Sequence, residues 1–280
     1  MPPEAPRSLN ATDIRLDGAV AVVTGGGRGI GRAIARSLGQ AGASVAVVAR
    51  TPSDVDATAA MLTEGGGEAV GIPADVTDGA SVDRTMRKVE RSFGPITILV
   101  NCAGTCGAIG ALWEIEPDDW RRDVDASLLG TFLCARAVLP AMVARRRGRV
   151  INVSSYAAIR ATPCIAAYGA AKAALVHLTN TLAAETAPFG VSVFAMTPGR
   201  VRTAMTEYML ESQTGKQWSI MPTGEWLPAE RAGALAVVLS SGRADALSGR
   251  FIHVLDDVEE LVRRADEIRR DDLYALRLRA

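Results

Sequence analysis

Short apolar runs alternate with longer helical stretches along this chain, and that alternation admits few folds. The runs 19–24, 44–49, 69–72, 96–100, 149–153, 191–197 and 251–254 are rich in Val and Ile and bounded by Gly, Pro or Asp. Such runs read as strands apolar on both faces, which suit a parallel sheet covered by helices. Between them, 31–42, 52–64, 79–93, 117–144, 166–186 and 229–239 carry helical patterns, with Gly42, Gly65 and Gly190 after helix ends and Asp54, Asp78 and Asp118 near helix starts. Repeated βαβ units predict a single α/β domain on a doubly wound parallel sheet, a Rossmann fold.

Residues outside the alternation divide the chain into three parts. Residues 1–16, with Pro2, Pro3 and Pro6, are expected to form a flexible arm, and 17–254 the domain. Residues 255–280 are expected to form a charged amphipathic helix and tail. Val258, Leu261, Val262, Ala265 and Ile268 keep helical spacing there among fourteen charged side chains. A capping helix, on this domain or on a neighbouring subunit, is the expected role.

Charge and cysteine usage exclude several classes. Thirty-one basic residues against 31 acidic ones leave no surplus for a nucleic-acid phosphate backbone. The longest uncharged run, 92–113, holds Gly94, Pro95, Asn101, Gly104, Gly107 and Gly110, so a strand followed by a loop is expected rather than a membrane span. No signal peptide is visible at the N-terminus. Cys102, Cys106, Cys134 and Cys164 show no C-x-x-C pairing, and no His/Cys cluster has metal-ligand spacing. A cytoplasmic protein without a metal site is the expectation.

The first predicted strand runs into Thr24-Gly25-Gly26-Gly27-Arg28-Gly29-Ile30-Gly31, and a helix pattern follows at once. Glycines there allow a tight turn and close approach of backbone to a pyrophosphate, and the helix N-terminus supplies free N–H groups. The strand before and the helix after are what a dinucleotide loop requires. At the end of the second strand, where an NAD-binding chain places a carboxylate on the ribose hydroxyls, the sequence reads Ala49-Arg50-Thr51. Arg50 can pair with a 2′-phosphate, and Arg28 can add a second positive charge. NADP(H) is therefore favoured, with NAD(H) as the alternative.

Asn152-Val153-Ser154-Ser155 closes the fifth strand, and Tyr168 and Lys172 follow at i and i+4 on one face of the helix 166–186. A phenol with pKa of about 10 is a poor base at neutral pH, and a neighbouring ammonium lowers that value. Tyr168 could then exchange a proton with a carbinol or carbonyl oxygen that Ser155 also hydrogen-bonds.

With these residues the chain resembles the short-chain dehydrogenase/reductase family over about 17–254. Further matches are Ala74-Asp75-Val76, Asn101-Cys102-Ala103-Gly104 and Pro198-Gly199-Arg200-Val201-Arg202-Thr203. The resemblance implies hydride transfer at nicotinamide, with Tyr168 as general acid/base, Lys172 on the nicotinamide ribose and Ser155 orienting substrate. It implies Asp75 and Val76 around the adenine, and Asn101, Ala103 and Gly104 along the cofactor channel. Pro198, Gly199 and Val201 would also contact the cofactor, and Thr203 would bond the carboxamide. The family's fourth catalytic residue, an Asn, is Ser127 here; Cys102 replaces a second Asn; and the usual C-terminal Val-Asp-Gly-Gly is absent. A homo-oligomer, tetramer or dimer, is implied.

A substrate pocket is expected from 106–113, 157–164 and an apolar lid over 204–228 that includes Met205, Tyr208, Met209, Leu210, Trp218, Ile220, Met221 and Trp226. A hydrophobic ketone or secondary alcohol is the expected substrate. The rival readings are an NAD-dependent dehydrogenase of the same family and a nucleotide-binding sensor or scaffold that has lost its chemistry.

Overall fold

The computed structural model describes residues 11–218 and 224–277. Seven strands form one parallel sheet: β1 (Val20–Thr24), β2 (Ser44–Ala49), β3 (Ala69–Pro73), β4 (Ile98–Asn101), β5 (Gly148–Val153), β6 (Val191–Thr197) and β7 (Phe251–His253). Their order is β3-β2-β1-β4-β5-β6-β7. The chain winds outward from β1 through β2 to β3, then crosses to β4 on the other side of β1, paired in parallel at Val22–Leu99. That reversal opens a crevice at the carboxyl ends of β1 and β4, where open α/β sheets bind ligands.

Alternation of side chains along the strands divides the core into two layers. Ala21 and Val23 face α1 (Gly29–Gln40) and α9 (Glu230–Ser240), packing with Ile34, Leu38, Leu235 and Leu239. Val20 and Val22 face the other way, toward Val82, Met86 and Val89 of α3 (Gly79–Phe93) and Val138 and Met142 of α5 (Gly130–Arg145). Helix α2 (Pro52–Glu64) and helix α6 (Ala166–Thr186) match the expected spans. Strand ends move by one or two residues; Ile96 is buried but lies before β4 rather than in it.

Three expectations are corrected. The helix expected over 117–144 is interrupted: α4 (Pro117–Val124) passes through a π-helical turn, Asp125–Leu129, before α5 begins. Gly130 there lies so close to Val76 that a Cβ would meet its Cγ2 at 2.6 Å. The run Pro117–Arg145 is long and apolar enough to cross a bilayer, yet Cys134, Ala135, Val138 and Met142 are spent on the core under the sheet.

The arm expected over 1–16 does not extend to its last residues; residues 1–10 lie outside the described residues. Ile14 and Leu16 are core residues, and the Leu16 N–H donates to the Ala41 carbonyl at 2.7 Å. Two apolar side chains spaced two apart found a place beside the α1–α9 layer, which a proline-rich composition does not reveal.

The charged C-terminal helix is two short ones, α10 (Val258–Arg263) and α11 (Ala265–Arg270), meeting at Arg264. Val258, Leu261, Ala265 and Ile268 complete the main core of this same domain. The chain then runs back along β7, where the Phe251 N–H donates to the Tyr274 carbonyl at 2.8 Å and Arg250 pairs with Asp272 at 2.7 Å. This covers the exposed edge of the sheet, a standing liability for strand pairing between molecules.

Candidate active site

The glycine loop sits at the crevice. Gly25 has φ of +64°, and a Cβ on it would lie 2.9 Å from the Ala103 backbone. A Cβ on Gly31 would lie 2.2 Å from the Gly25 carbonyl oxygen. Only glycine lets the turn fold back on α1 and on the turn after β4 at once. Helix α1 begins at Gly29 after Arg28, which offers its N-terminus no side-chain cap, so first-turn N–H groups are free for an anion. These features fit a dinucleotide pyrophosphate. Arg28 and Arg50 are exposed and form no ion pair among the described residues.

Sequence reasoning missed two braces of this loop. Arg32 donates from Nε to the Gly27 carbonyl at 2.9 Å and to the Thr58 hydroxyl at 3.0 Å. Thr24, buried at the end of β1, accepts from the Cys102 and Ala103 N–H groups at 3.1 and 3.2 Å, tying the glycine loop to the turn after β4. Neither shows in spacing, since Thr58 lies 26 residues from Arg32 and the turn after β4 lies 78 or more from Thr24.

Asp75 is exposed and Val76 buried. Burial would raise the Asp75 carboxyl, but hydrogen bonds from the Thr77 N–H and hydroxyl outweigh it and hold the group below the usual carboxylate range, with Arg50 helping. Asn101 is buried at the end of β4 and donates to Asn152 at 2.9 Å, which donates to the Thr179 hydroxyl on α6 at 2.9 Å. This chain of amides locks the ends of β4 and β5 to α6. Ala103 and Gly104 lie half-buried beyond it. Pro198, Gly199 and Val201 follow β6, with Pro198 and Val201 buried. Thr203 caps α7 (Ala204–Glu211), accepting from the Thr206 N–H at 3.2 Å, and its Cγ2 is 3.2 Å from where a Cβ on Gly29 would stand. The turn after β6 therefore touches the glycine loop.

Ser155, Tyr168 and Lys172 come together beside these turns. The Ser155 hydroxyl accepts from the Ala157 N–H at 3.2 Å. Lys172, only 4 % exposed, donates to the Val153 carbonyl at 2.8 Å, and its Nζ stands 5.5 Å from the Tyr168 ring centroid. Burial drives the Lys172 ammonium down to about 8. The expectation of a lowered Tyr168 pKa is not met in the protein alone. Burial of the phenol end pushes it well above the ordinary value, and the adjacent Ser155 hydroxyl only partly opposes this. An ammonium itself driven toward neutrality is a weak counterweight.

Ser127, in the π-helical turn, is fully buried, and its Oγ has no hydrogen-bond partner among the described residues. It stands 3.1 Å from where a Cβ on Gly104 would be, and the Lys172 Nζ stands 3.5 Å from the same point. Burial raises the Cys102 thiol to about 11 and the Cys106 thiol to about 12.

Residues from the three segments expected to line a pocket pack together as an apolar cluster. Cys106 and Ile165 are buried with Met209, and Ile109, Ala157, Cys164, Tyr168 and Met205 pack on them. Trp113, expected to line the pocket, is 85 % exposed. Trp226, expected in the lid, is instead stacked on Arg200 and Arg202, 4.0 and 5.0 Å from its ring centroid, and Tyr208 is exposed. Helix α8 (Gln213–Trp218) follows α7. Ile220 and Met221 lie outside the described residues, as does the Trp218 side chain.

A parallel sheet with this strand order, a glycine turn at its switch point and a Ser, Tyr and Lys grouped beside it define a dinucleotide-dependent oxidoreductase of α/β type. Residues 19–214 match the short chain dehydrogenase family. A 2-(S)-hydroxypropyl-CoM dehydrogenase of Xanthobacter autotrophicus is 36% identical over 84% of this chain and 94% of its own. A 3-oxoacyl-[acyl-carrier-protein] reductase of Synechocystis is 35% identical over 85% and 96%. Among solved structures, a gluconate 5-dehydrogenase from Burkholderia cenocepacia in complex with NADP and tartrate superposes with a TM-score of 0.79 at 32% identity, covering 87% of this chain and 96% of that one. An NAD+-bound xylitol dehydrogenase gives 0.78 at 28% identity, over 85% and 97%. The chain belongs to the short-chain dehydrogenase/reductase family and is an NAD(P)-dependent oxidoreductase.

Proposed function

We propose that this enzyme interconverts a hydrophobic ketone and its secondary alcohol with NADP(H), using Tyr168 as general acid/base. The observation that carries the reading is the grouping of Ser155, Tyr168 and Lys172 beside an apolar cluster, next to an uncapped helix N-terminus. Bound NADPH supplies the hydride for ketone reduction and its oxidised form accepts one from the alcohol. The α1 N-terminus and the glycine loop, Gly25 through Gly31, would hold the pyrophosphate, with Ile30 on the first turn. Arg50 and Arg28, exposed and in no ion pair among the described residues, would meet the 2′-phosphate. Asp75 and Val76 would flank the adenine. Asn101, Ala103, Gly104, Pro198, Gly199, Val201 and Thr203 would border the nicotinamide half.

A high phenol pKa suits reduction, because Tyr168 stays protonated at neutral pH and can give its proton to the carbonyl oxygen. Ser155 donates to that same oxygen and fixes its angle to the phenol. Lys172 holds the cofactor ribose and, with a pKa of about 8, returns a proton to Tyr168 after each turn. Ser127 serves as the fourth member: its unpartnered hydroxyl on the Lys172 side of Gly104 is placed to hold a water that resupplies the lysine. All four cysteines are free, in keeping with a reducing cytoplasm. Assembly as a dimer or tetramer is expected, and the exposed Leu129 and Phe132 are the contacts to test.

NADPH oxidation with a panel of ketones tests the reading, wild type against Tyr168→Phe. Turnover by the wild type alone supports it; a wild type no faster than the variant returns the protein to the sensor class. Titration of NADPH against NADH, with Arg50→Asp as control, tests the cofactor. Tighter NADH binding by the wild type would overturn the NADP(H) assignment.

A further inference from the structure

Among the described residues, Asp123 is the one buried carboxylate, and the proposed chemistry does not use it. It lies in α4, 1 % exposed, and pairs with no cation among the described residues. A lone buried carboxylate is destabilising by several kcal/mol unless hydrogen bonds compensate. Here three donors do so, all from one turn. The Thr105 hydroxyl donates to Oδ1 at 2.6 Å. The Gly107 N–H reaches both oxygens, at 3.0 and 2.8 Å, and the Ala108 N–H reaches Oδ2 at 2.9 Å. Successive backbone N–H groups aimed at one anion form a concave nest, and bonds to a charged acceptor are about twice as strong as neutral ones.

The turn so held carries Cys106 into an apolar cluster with Ile165 and Met209, against which Tyr168 packs. Its far end is fixed separately, by the Gly110 N–H donating to the Cys164 carbonyl at 2.9 Å. Cys106 and Ile109 are the residues that this tied turn contributes to the cluster. No other side chain bonds Gly107 or Ala108 among the described residues. Asparagine could keep an oxygen on the Gly107 and Ala108 N–H groups, but it removes the charge and sets its NH2 against the second Gly107 contact.

We propose that Asp123 is a positioning residue that determines ketone specificity: it holds the 105–108 turn so that Cys106 is pressed into the cluster against which Tyr168 packs. The proposal rests on the ketone-reductase reading for its kinetic consequence, but the loop geometry can be read without turnover.

Two measurements test it. The first is site-resolved thiol labelling with a maleimide, followed by mass spectrometry of the peptides. Asp123→Asn should speed labelling of Cys106 roughly tenfold or more, the factor that loss of one hydrogen bond to a charge produces. Thr105→Val, which keeps the charge, should speed it less. Cys134, buried in α5, should be unchanged in both. The second is steady-state reduction of acetophenone, cyclohexanone and 2-octanone. Asp123→Asn should raise the ketone KM roughly tenfold while kcat and the NADPH KM move less than about threefold. The double variant with Cys106→Ala should resemble Cys106→Ala alone, because both act through one cluster. Cys106 as protected in Asp123→Asn as in wild type, parallel exposure of Cys134, or additive losses in the double variant would each overturn the proposal. A wild type inert toward all ketones, with Cys106 selectively exposed in Asp123→Asn, would sink the reductase reading and leave the loop assignment standing.

Discussion

Replacing Lys172 by Met should abolish turnover and stabilise the fold. Burial lowers this ammonium from 10.5 to about 8. A depressed lysine pKa means that the unfolded chain binds the proton more tightly than the folded one. Below pH 8 both states carry the charge and the fold bears the full penalty. As pH rises from 8 toward 10.5 the folded lysine is neutral while the unfolded one is still charged, so this penalty fades and stability rises. At 1.36 kcal/mol per pH unit, the penalty at pH 7 is ~3 kcal/mol. Met removes the charge and keeps most of the stem, but it forfeits the Nζ bond to the Val153 carbonyl, worth ~1 kcal/mol. The variant should therefore be more stable than wild type by ~2 kcal/mol at pH 7. Urea unfolding of both proteins at half-unit steps from pH 6.5 to 10 measures the gap. It should be widest below pH 8 and shrink above it. A Lys172→Met protein less stable than wild type at pH 7, or a gap that does not change with pH, would refute the reasoning. The difference between the two proteins is the quantity to use, because the raised phenol of Tyr168 acts oppositely at the alkaline end: its stabilising contribution to wild type is lost as pH climbs through its folded pKa.

Other variants probe the supports of the site. Asn152→Ala leaves the Asn101 amide without its acceptor and opens a cavity between β5 and α6; a loss of ~3 kcal/mol by urea unfolding is expected. Ile268→Ala should lower stability by ~2–4 kcal/mol if the C-terminal helices belong to this domain's core, and a change under about 0.5 kcal/mol would show that they do not. Gly31→Ala forces a Cβ against the Gly25 carbonyl, so stability should fall by ~1–3 kcal/mol and NADPH affinity with it; fluorescence titration giving wild-type affinity would refute the tight-loop argument.

Much of this molecule is legible residue by residue. The spans 44–49, 52–64, 79–93, 166–186 and 191–197 coincide with elements of the structure. Val45, Val47 and the other β-branched residues of β2 are apolar on both faces because helices cover both sides, and this leaves an unbroken run in the sequence. The loop from Gly25 to Gly31 was legible because its requirement is steric and local. Asp123 was not: as one of several acidic residues in 118–125, it is distinguished only by the turn 15 to 18 residues upstream that folds over it. Trp113 and Trp226 misled for the converse reason, since an aromatic side chain in a loop carries no sign of whether it meets a pocket, solvent or an arginine.

By itself, then, the sequence determined what depends on short separations. These are the order of strands and helices, the glycine turn between β1 and α1, and the Tyr168–Lys172 pair on one helix face. Periodicity and i, i+4 spacing hold whatever the rest of the chain does. Tertiary structure alone decided what depends on burial and distant partners. It drove the Tyr168 phenol up rather than down, and it broke the long helix with a π turn that buries an unpartnered Ser127 hydroxyl. It also drew the densely charged tail into the core by four apolar side chains on two short helices. Desolvation and packing are properties of a site's whole surroundings, and those surroundings exist only once the chain has closed around them.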